Sequence, residues 1–192
     1  MGSASVLFLA LAVAANGSTG SSPPSTAPTS SAAHGGDADP TRYAGTYVYG
    51  GTDAERAAIS TAVDSATEGM AGRLIARGEL MKRSEVRPSY AIRFDGKGNV
   101  AVETPGFPPE VLPLDGTEVP FKNKYGDALT NRQRFLDGAL VQESRTTDGG
   151  GSTRFELQAD GKTLLVTRIS WSPKLPRVVH FRLTYVRRTG VP

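Results

Sequence analysis

Arg177-Val-Val-His-Phe-Arg-Leu-Thr-Tyr-Val-Arg187 decides the fold. Val179, Phe181, Leu183 and Tyr185 fall on one parity, and His180, Arg182 and Thr184 on the other. Successive side chains leave a strand on opposite faces, so this period of two marks a strand with one face in a core and one in water.

The pattern continues upstream. Ser172-Pro-Lys-Leu-Pro176 is a loop. Before it, Leu164 and Val166 hold one phase while Leu165, Ile169 and Trp171 hold the other. Arg168 therefore stands where an apolar residue is expected, unless a β-bulge intervenes. Phe155 and Leu157, Ala139 to Arg145, and Leu129 to Leu136 are further strands, separated by turns at Asp137-Gly138, Asp148-Gly-Gly-Gly151 and Asp160-Gly161. Asp-Gly between alternating runs is a strong hairpin signal. Val119 and Phe121 mark a short strand that Pro120 assigns to an edge or irregular position. Tyr90, Ile92 and Phe94, the turn Asp95-Gly-Lys-Gly-Asn99, then Val100 and Val102 form another hairpin. Pro105-Gly-Phe-Pro-Pro109, with Pro113 close behind, reads as a stiff loop. It carries Phe107 either against the core or at a ligand entrance.

The domain opens with Arg42 to Tyr49. Tyr43, Tyr47 and Tyr49 share a parity, and Gly45 between them permits a bend of the kind found at barrel corners. Thr52-Asp-Ala-Glu55 is a capping box. Ile59, Val63, Ala66, Met70 and Leu74 follow as one apolar helical stripe. Gly69, Gly72 and Gly78 each cost a helix interior about 1 kcal/mol against Ala. We expect a helical region over about 53–81, broken near Gly69–Gly72. Core packing is the expectation for Met70, Leu74 and Met81; a lid over a cavity mouth is the alternative.

These elements predict a mostly β domain with an N-terminal helical insertion: an antiparallel meander of about eight strands forming an open or closed barrel, since closure removes sheet edges. The pattern resembles lipocalin-like domains in its Gly45-Thr46-Tyr47 opening, its Asp-Gly hairpins and a final strand ending in Arg187-Arg188. It departs from them in having Tyr for the Trp of the Gly-x-Trp opening, and a helix after the first strand rather than after the barrel. The chain also resembles exported bacterial proteins with a Ser-Pro-x-Leu-Pro loop, here Ser172 to Pro176, before a last Arg-x-x-Tyr strand, here Arg182 to Tyr185. The resemblance covers about residues 40–188.

Val6 to Ala15 is a ten-residue apolar run, too short to span a bilayer as a helix. Small residues at Ala12, Ala14 and Ala15 fit signal-peptide cleavage near residues 14–16, although no Lys or Arg precedes the run. The expected organisation is a signal peptide over 1–15, a disordered Ser/Thr/Pro/Gly/Ala tether over 16–39, and one domain over 40–192. The expected location is secreted or periplasmic.

Chemistry is sparse. There is no Cys, so disulfides, thiolate metal sites and a cysteine nucleophile are excluded. His180 is the one His of the domain, and no Gly-x-Ser-x-Gly elbow accompanies it. No His/carboxylate spacing fits a metal, no glycine loop fits a phosphate, and no cofactor is implied. An enzyme is not expected. The formal charge is +3, and from residue 131 onward eleven basic residues face five acidic ones, nine of the eleven being Arg. Arg93, Arg132, Arg134, Arg154, Arg168 and Arg182 sit near strand centres. On an outer face they would pair with Glu103, Glu143 and Glu156. Inside a wide barrel they would grip a carboxylate or phosphate. Water is the expected surrounding for most, with Arg168 the exception.

The sequence thus favours an exported barrel binding a small amphipathic or anionic molecule through Arg168, Trp171, Arg182, His180 and Phe107. The alternative is a non-enzymatic envelope protein contacting surfaces through its basic sheet face. Nucleic acid is not an expected partner, because the aromatics follow core parity instead of forming an exposed stacking face.

Overall fold

The computed structural model describes residues 39–122, 126 and 128–188. The expected signal peptide, and all of the expected tether except Asp39, lie outside the described residues.

A one-turn 3-10 helix (Pro40–Tyr43) leads into β1 (Gly45–Tyr49). Helices α1 (Asp53–Ala66) and α2 (Arg73–Arg83) follow. Then come β2 (Ser89–Phe94), β3 (Asn99–Glu103), β4 (Glu110–Pro113), β5 (Val119–Lys122), β6 (Ala128–Leu136), β7 (Ala139–Thr146), β8 (Gly149–Leu157), β9 (Thr163–Trp171) and β10 (Val179–Arg187). Sequence neighbours pair antiparallel except β4 and β5, and β1 also joins β10, giving the order β4-β3-β2-β1-β10-β9-β8-β7-β6-β5. The ends of this ribbon meet. Asp115, just past β4, bridges to Arg134 of β6, and the Gly116 amide donates to the Gln133 carbonyl at 3.0 Å. Inside the seam, Gln133 Nε2 donates to the Val100 and Leu112 carbonyls at 3.4 and 3.5 Å. The result is a nearly closed ten-stranded barrel with two helices.

The opening stretch behaves as its pattern requires: Val179, Phe181, Leu183 and Tyr185 are buried, and His180 and Arg182 are exposed. Four expectations are corrected. There are ten strands rather than about eight, because the proline-rich segment still supplies β4; its position at the ribbon's end leaves Pro113 no second neighbour to satisfy. Gly149–Gly151 is strand rather than turn. A Cβ at Gly149 would lie 2.4 Å from the Trp171 carbonyl oxygen and one at Gly151 2.8 Å from that of Ile169, so glycine here serves close strand approach. The phase change in β9 is not a bulge: Leu164 to Trp171 pair with β8 without interruption, and Arg168 simply occupies an inward position. Finally, Leu74 is not in the core. Gly69 and Gly72, both at φ +75°, split the helical region and turn α2 away from the stripe of α1. Ile59, Val63 and Ala66 are buried, whereas Leu74 and Ile75 are 84% and 72% exposed.

The capping box is half formed. Thr52 Oγ1 accepts from the Glu55 amide at 3.4 Å, but the Glu55 carboxylate leaves the helix. It accepts from the Thr184 amide at 3.0 Å and the Thr184 hydroxyl at 2.6 Å, tying α1 to β10.

Candidate functional site

Alternating strand direction gives the barrel two unlike ends. One end gathers the 3-10 helix and the short turns at Asp95-Gly96, Asp115-Gly116, Asp137-Gly138 and Asp160-Gly161. The other gathers the two helices and the longer connections, β3–β4 and β9–β10 among them. We call these the floor and the mouth.

The floor is plugged. Tyr43 is buried; its hydroxyl donates to the Gly138 carbonyl at 2.6 Å and accepts from the Leu157 amide at 2.9 Å. Tyr47 donates to the Tyr43 carbonyl at 3.0 Å, and Arg187 reaches both the Tyr47 hydroxyl and the Arg42 carbonyl. Burial pushes the Tyr43 and Tyr47 phenols above their ordinary pKa, which keeps them as neutral donors.

Strand register then stacks the inward residues of β6 to β10 in rows. Above the floor row Leu157–Leu164–Tyr185, the first row through all five strands is Phe135–Leu140–Phe155–Val166–Leu183, all apolar. One step nearer the mouth it is Gln133–Gln142–Thr153–Arg168–Phe181, and one further step Asn131–Ser144–Gly151–Ser170–Val179. The facing wall, from β1 to β4, is apolar and aromatic: Tyr47, Tyr90, Ile92, Val100, Val102 and Leu112 are buried. Glu110 is its one carboxylate, facing inward beside Val102 at the mouth end. Burial raises the Glu110 pKa against a smaller opposing pull from Arg87. The interior is therefore two-sided, polar on β6–β9 and oily on β1–β4. Gln142, Ser144, Thr153, Arg168 and Ser170 point inward yet are only half-buried. Solvent reaches them, as it does not reach the buried Leu140, Phe155 and Val166 in the row below Gln142, Thr153 and Arg168.

Arg168 belongs to the polar wall. Its guanidinium donates to the carbonyl of Arg83, the last residue of α2, at 3.0 Å and to that of Glu85 at 3.4 Å, and stands 5.6 Å above the Phe181 ring. A cation on the unsatisfied carbonyls of a helix C-terminus holds the helix over the barrel. Phe107 lies at the rim, with the Arg87 guanidinium 3.5 Å from its ring centroid. It helps line a cleft of about 510 Å³ on the outside of the wall, with Ser89, Ala91, Glu103, Thr104 and Pro109. Trp171 faces outward over Gly150, where a Cβ would meet its ring at 2.7 Å. His180 and Arg182 are on the outer face of β10, and Arg182 donates to Thr167 Oγ1 at 3.3 Å. Of the five residues singled out in the sequence, only Arg168 sits among the interior polar groups.

The other central arginines pair outside. Arg93 meets Glu103 at 3.0 Å, Arg132 and Arg134 meet Glu143 at 2.5 and 3.5 Å, and Arg154 meets Glu156 at 3.2 Å. The interior set of Asn131, Gln133, Gln142, Ser144, Thr153, Ser170 and Glu110 was not picked out from the sequence. A signal exists: in β6 both parities are polar, Thr130, Arg132 and Arg134 on one and Asn131 and Gln133 on the other. A barrel strand that is polar on both faces must carry one polar set inside.

No family model and no curated protein matches this sequence. Solved structures do match. Lipid binding protein 8 of Caenorhabditis elegans aligns with TM-score 0.50 and 13% identity, over 77% of this chain and 96% of its own. A secretory abundant heat soluble protein of Ramazzottius varieornatus gives 0.51 and 13%, over 77% and 96%. A variant of the fluorescent protein UnaG gives 0.51 and 12%, over 78% and 99%. At these identities the likeness is one of fold. The domain has the lipocalin-like, fatty-acid-binding-protein-like barrel fold.

Proposed function

We propose that this barrel binds a small amphipathic molecule in the mouth half of its interior, with no chemical step. The observation that carries this is the division of the inner surface. Solvent-reached polar side chains of β7–β9, with the buried amides Asn131 and Gln133 of β6 beside them, face an aromatic and aliphatic wall from β1–β4, above a sealed floor. A structural barrel gains nothing from polar groups pointing inward, since each must find a partner or cost stability. A two-sided molecule uses both walls at once: its apolar part against Tyr90, Val102 and their neighbours, its head against the rows of Gln133 and Asn131. A protein named for lipid binding shares the fold, which supports the reading. The apolar run and low-complexity segment ahead of residue 40 favour a barrel that works outside the cytoplasm.

Native mass spectrometry of the full chain purified from its own host tests this. We expect a small-molecule adduct that organic solvent releases, and its loss in Ser170→Phe, which fills the upper row while the circular dichroism stays that of a folded barrel. Adduct-free protein that also fails to take up the neutral dye Nile red overturns the proposal.

A second reading, contact with an anionic envelope surface, draws on exposed Arg182 and His180 on the outside of β10. The ion pairs of Arg93, Arg132, Arg134 and Arg154 weaken it, because they neutralise much of the outer basic face.

A further inference from the structure

Asn131 is 2% exposed, and neither its Oδ1 nor its Nδ2 has a hydrogen-bond partner. A carboxamide carries two donors and an acceptor. Leaving both ends unmatched in a buried position is costly, and native structures rarely tolerate it without a role. The register aims this side chain at the interior, in the mouth half, one row above Gln133. On its β7 side the row continues through Ser144, Gly151 and Ser170, which are small and half-buried, before the buried Val179; on its other side is Val119 of β5. By contrast Gln133, one step deeper and also buried, is satisfied through Val100, Leu112 and Gln142.

The charges near this row argue about the sign of the ligand's head. The inward cation, Arg168, lies one step deeper, and two of its guanidinium nitrogens already serve the carbonyls of Arg83, which ends α2, and Glu85 just past it. At the mouth end of β4, whose lower part meets β6 at the seam, is Glu110, a carboxyl that would repel an anion when ionised. A carboxylate head would bring acceptors only, leaving Asn131 Oδ1 unmatched.

Resting on the reading of the barrel as a binder, we infer that the head of its ligand is a neutral group presenting a donor and an acceptor side by side — a carboxamide, lactam or urea — which pairs with Asn131 and is flanked by Ser144 and Ser170. Such a head completes both ends of the amide at once, in the way paired amides do.

The test is competition against Nile red in the full chain, comparing octadecenamide with octadecenoate at a pH where the acid is ionised. We expect the amide to bind at least about tenfold more tightly, since a site built to match a polar group rejects an analogue that leaves it unpaired. Asn131→Leu, which keeps the branched shape and removes both polar atoms, should bring the two ligands within about twofold by weakening the amide, each measured against that variant's own Nile red affinity. Asn131→Ser serves the same comparison if the leucine variant does not fold. Equal affinity of the two ligands in the unmodified protein, or an unchanged ratio in both variants, overturns the inference while leaving the barrel a binder. Failure of Nile red and of both ligands to bind overturns the binder reading, and this inference with it.

Discussion

The floor and mouth halves of the barrel interior are built from the same strands and differ by one step of register. Phe155 and Thr153 lie on the same face of β8, two residues apart. Phe155 is fully buried against the Tyr90 ring, with centroids 5.2 Å apart, while Thr153 is half-buried in a polar row. The difference teaches that stability and recognition are separated along each strand rather than assigned to separate strands. The floor rows exclude water and hold the fold; the mouth rows admit water and keep unused hydrogen-bonding capacity.

The largest expected effect breaks this comparison outright if it fails. Phe155→Ala should destabilise the protein by about 3–5 kcal/mol through lost burial and the cavity left behind. Thr153→Ala should stay within about 0.5 kcal/mol, as substitutions outside the packed core do. Urea unfolding of the two variants reads both; similar losses at the two positions would abolish the division.

Next in size is the attachment of the helices over the mouth. Glu55→Ala removes both acceptors of Thr184 and leaves its part-buried amide unpaired, which costs about 1–3 kcal/mol. Urea unfolding reads the loss, and hydrogen exchange should rise first at Thr184 and in α1. A variant with unaltered protection there would show that the helix is held by its apolar stripe alone.

The smallest effect sharpens the picture of the floor turns. The Asp160 carboxylate accepts from the Thr163 hydroxyl and from the Thr163 and Lys162 amides, which lowers its pKa to about 2. A lowered carboxylate pKa stabilises the fold above the unfolded value of about 3.9, and the contribution disappears as pH falls through the folded value. Asp160→Asn should therefore reduce the thermal midpoint at neutral pH and match the unmodified protein near pH 2. An equal deficit at both pH values would mean that the turn depends on shape rather than charge.

Much of the framework was legible because period-two patterning and Asp-Gly turns are local. Val179 to Tyr185 revealed one buried face without reference to any neighbour, and the pairs Arg93–Glu103 and Arg132–Glu143 followed from placing charge on the other. What stayed hidden depends on contacts that local patterning does not record. Gly149–Gly151 reads as a turn by composition, but it is strand because backbone from β9 and the Trp171 ring take the space of the missing side chains. Leu74 fits a helical stripe, but the break at Gly69–Gly72 rotates it into solvent. In the site, Arg168 stood out because an apolar phase surrounds it. Asn131 and Gln133 did not, because in a strand that is polar on both faces parity alone does not say which side is the inside.

The pairing of β1 with β10 carries a consequence for how this molecule is made. Every other strand zips to one synthesised just before or after it, with small loop-closure cost, but Tyr47 must find Arg187 and Tyr49 must find Tyr185. The floor plug, Tyr43 against Leu157 and Arg187 against Tyr47, belongs to the same late event. A nascent chain can accumulate hairpins from Ser89 onward as it emerges, yet it stays an open ribbon with a bare oily side until translation has delivered its final strand. Truncation by a dozen residues at the C-terminus should therefore yield no weaker version of the barrel, only an aggregation-prone sheet.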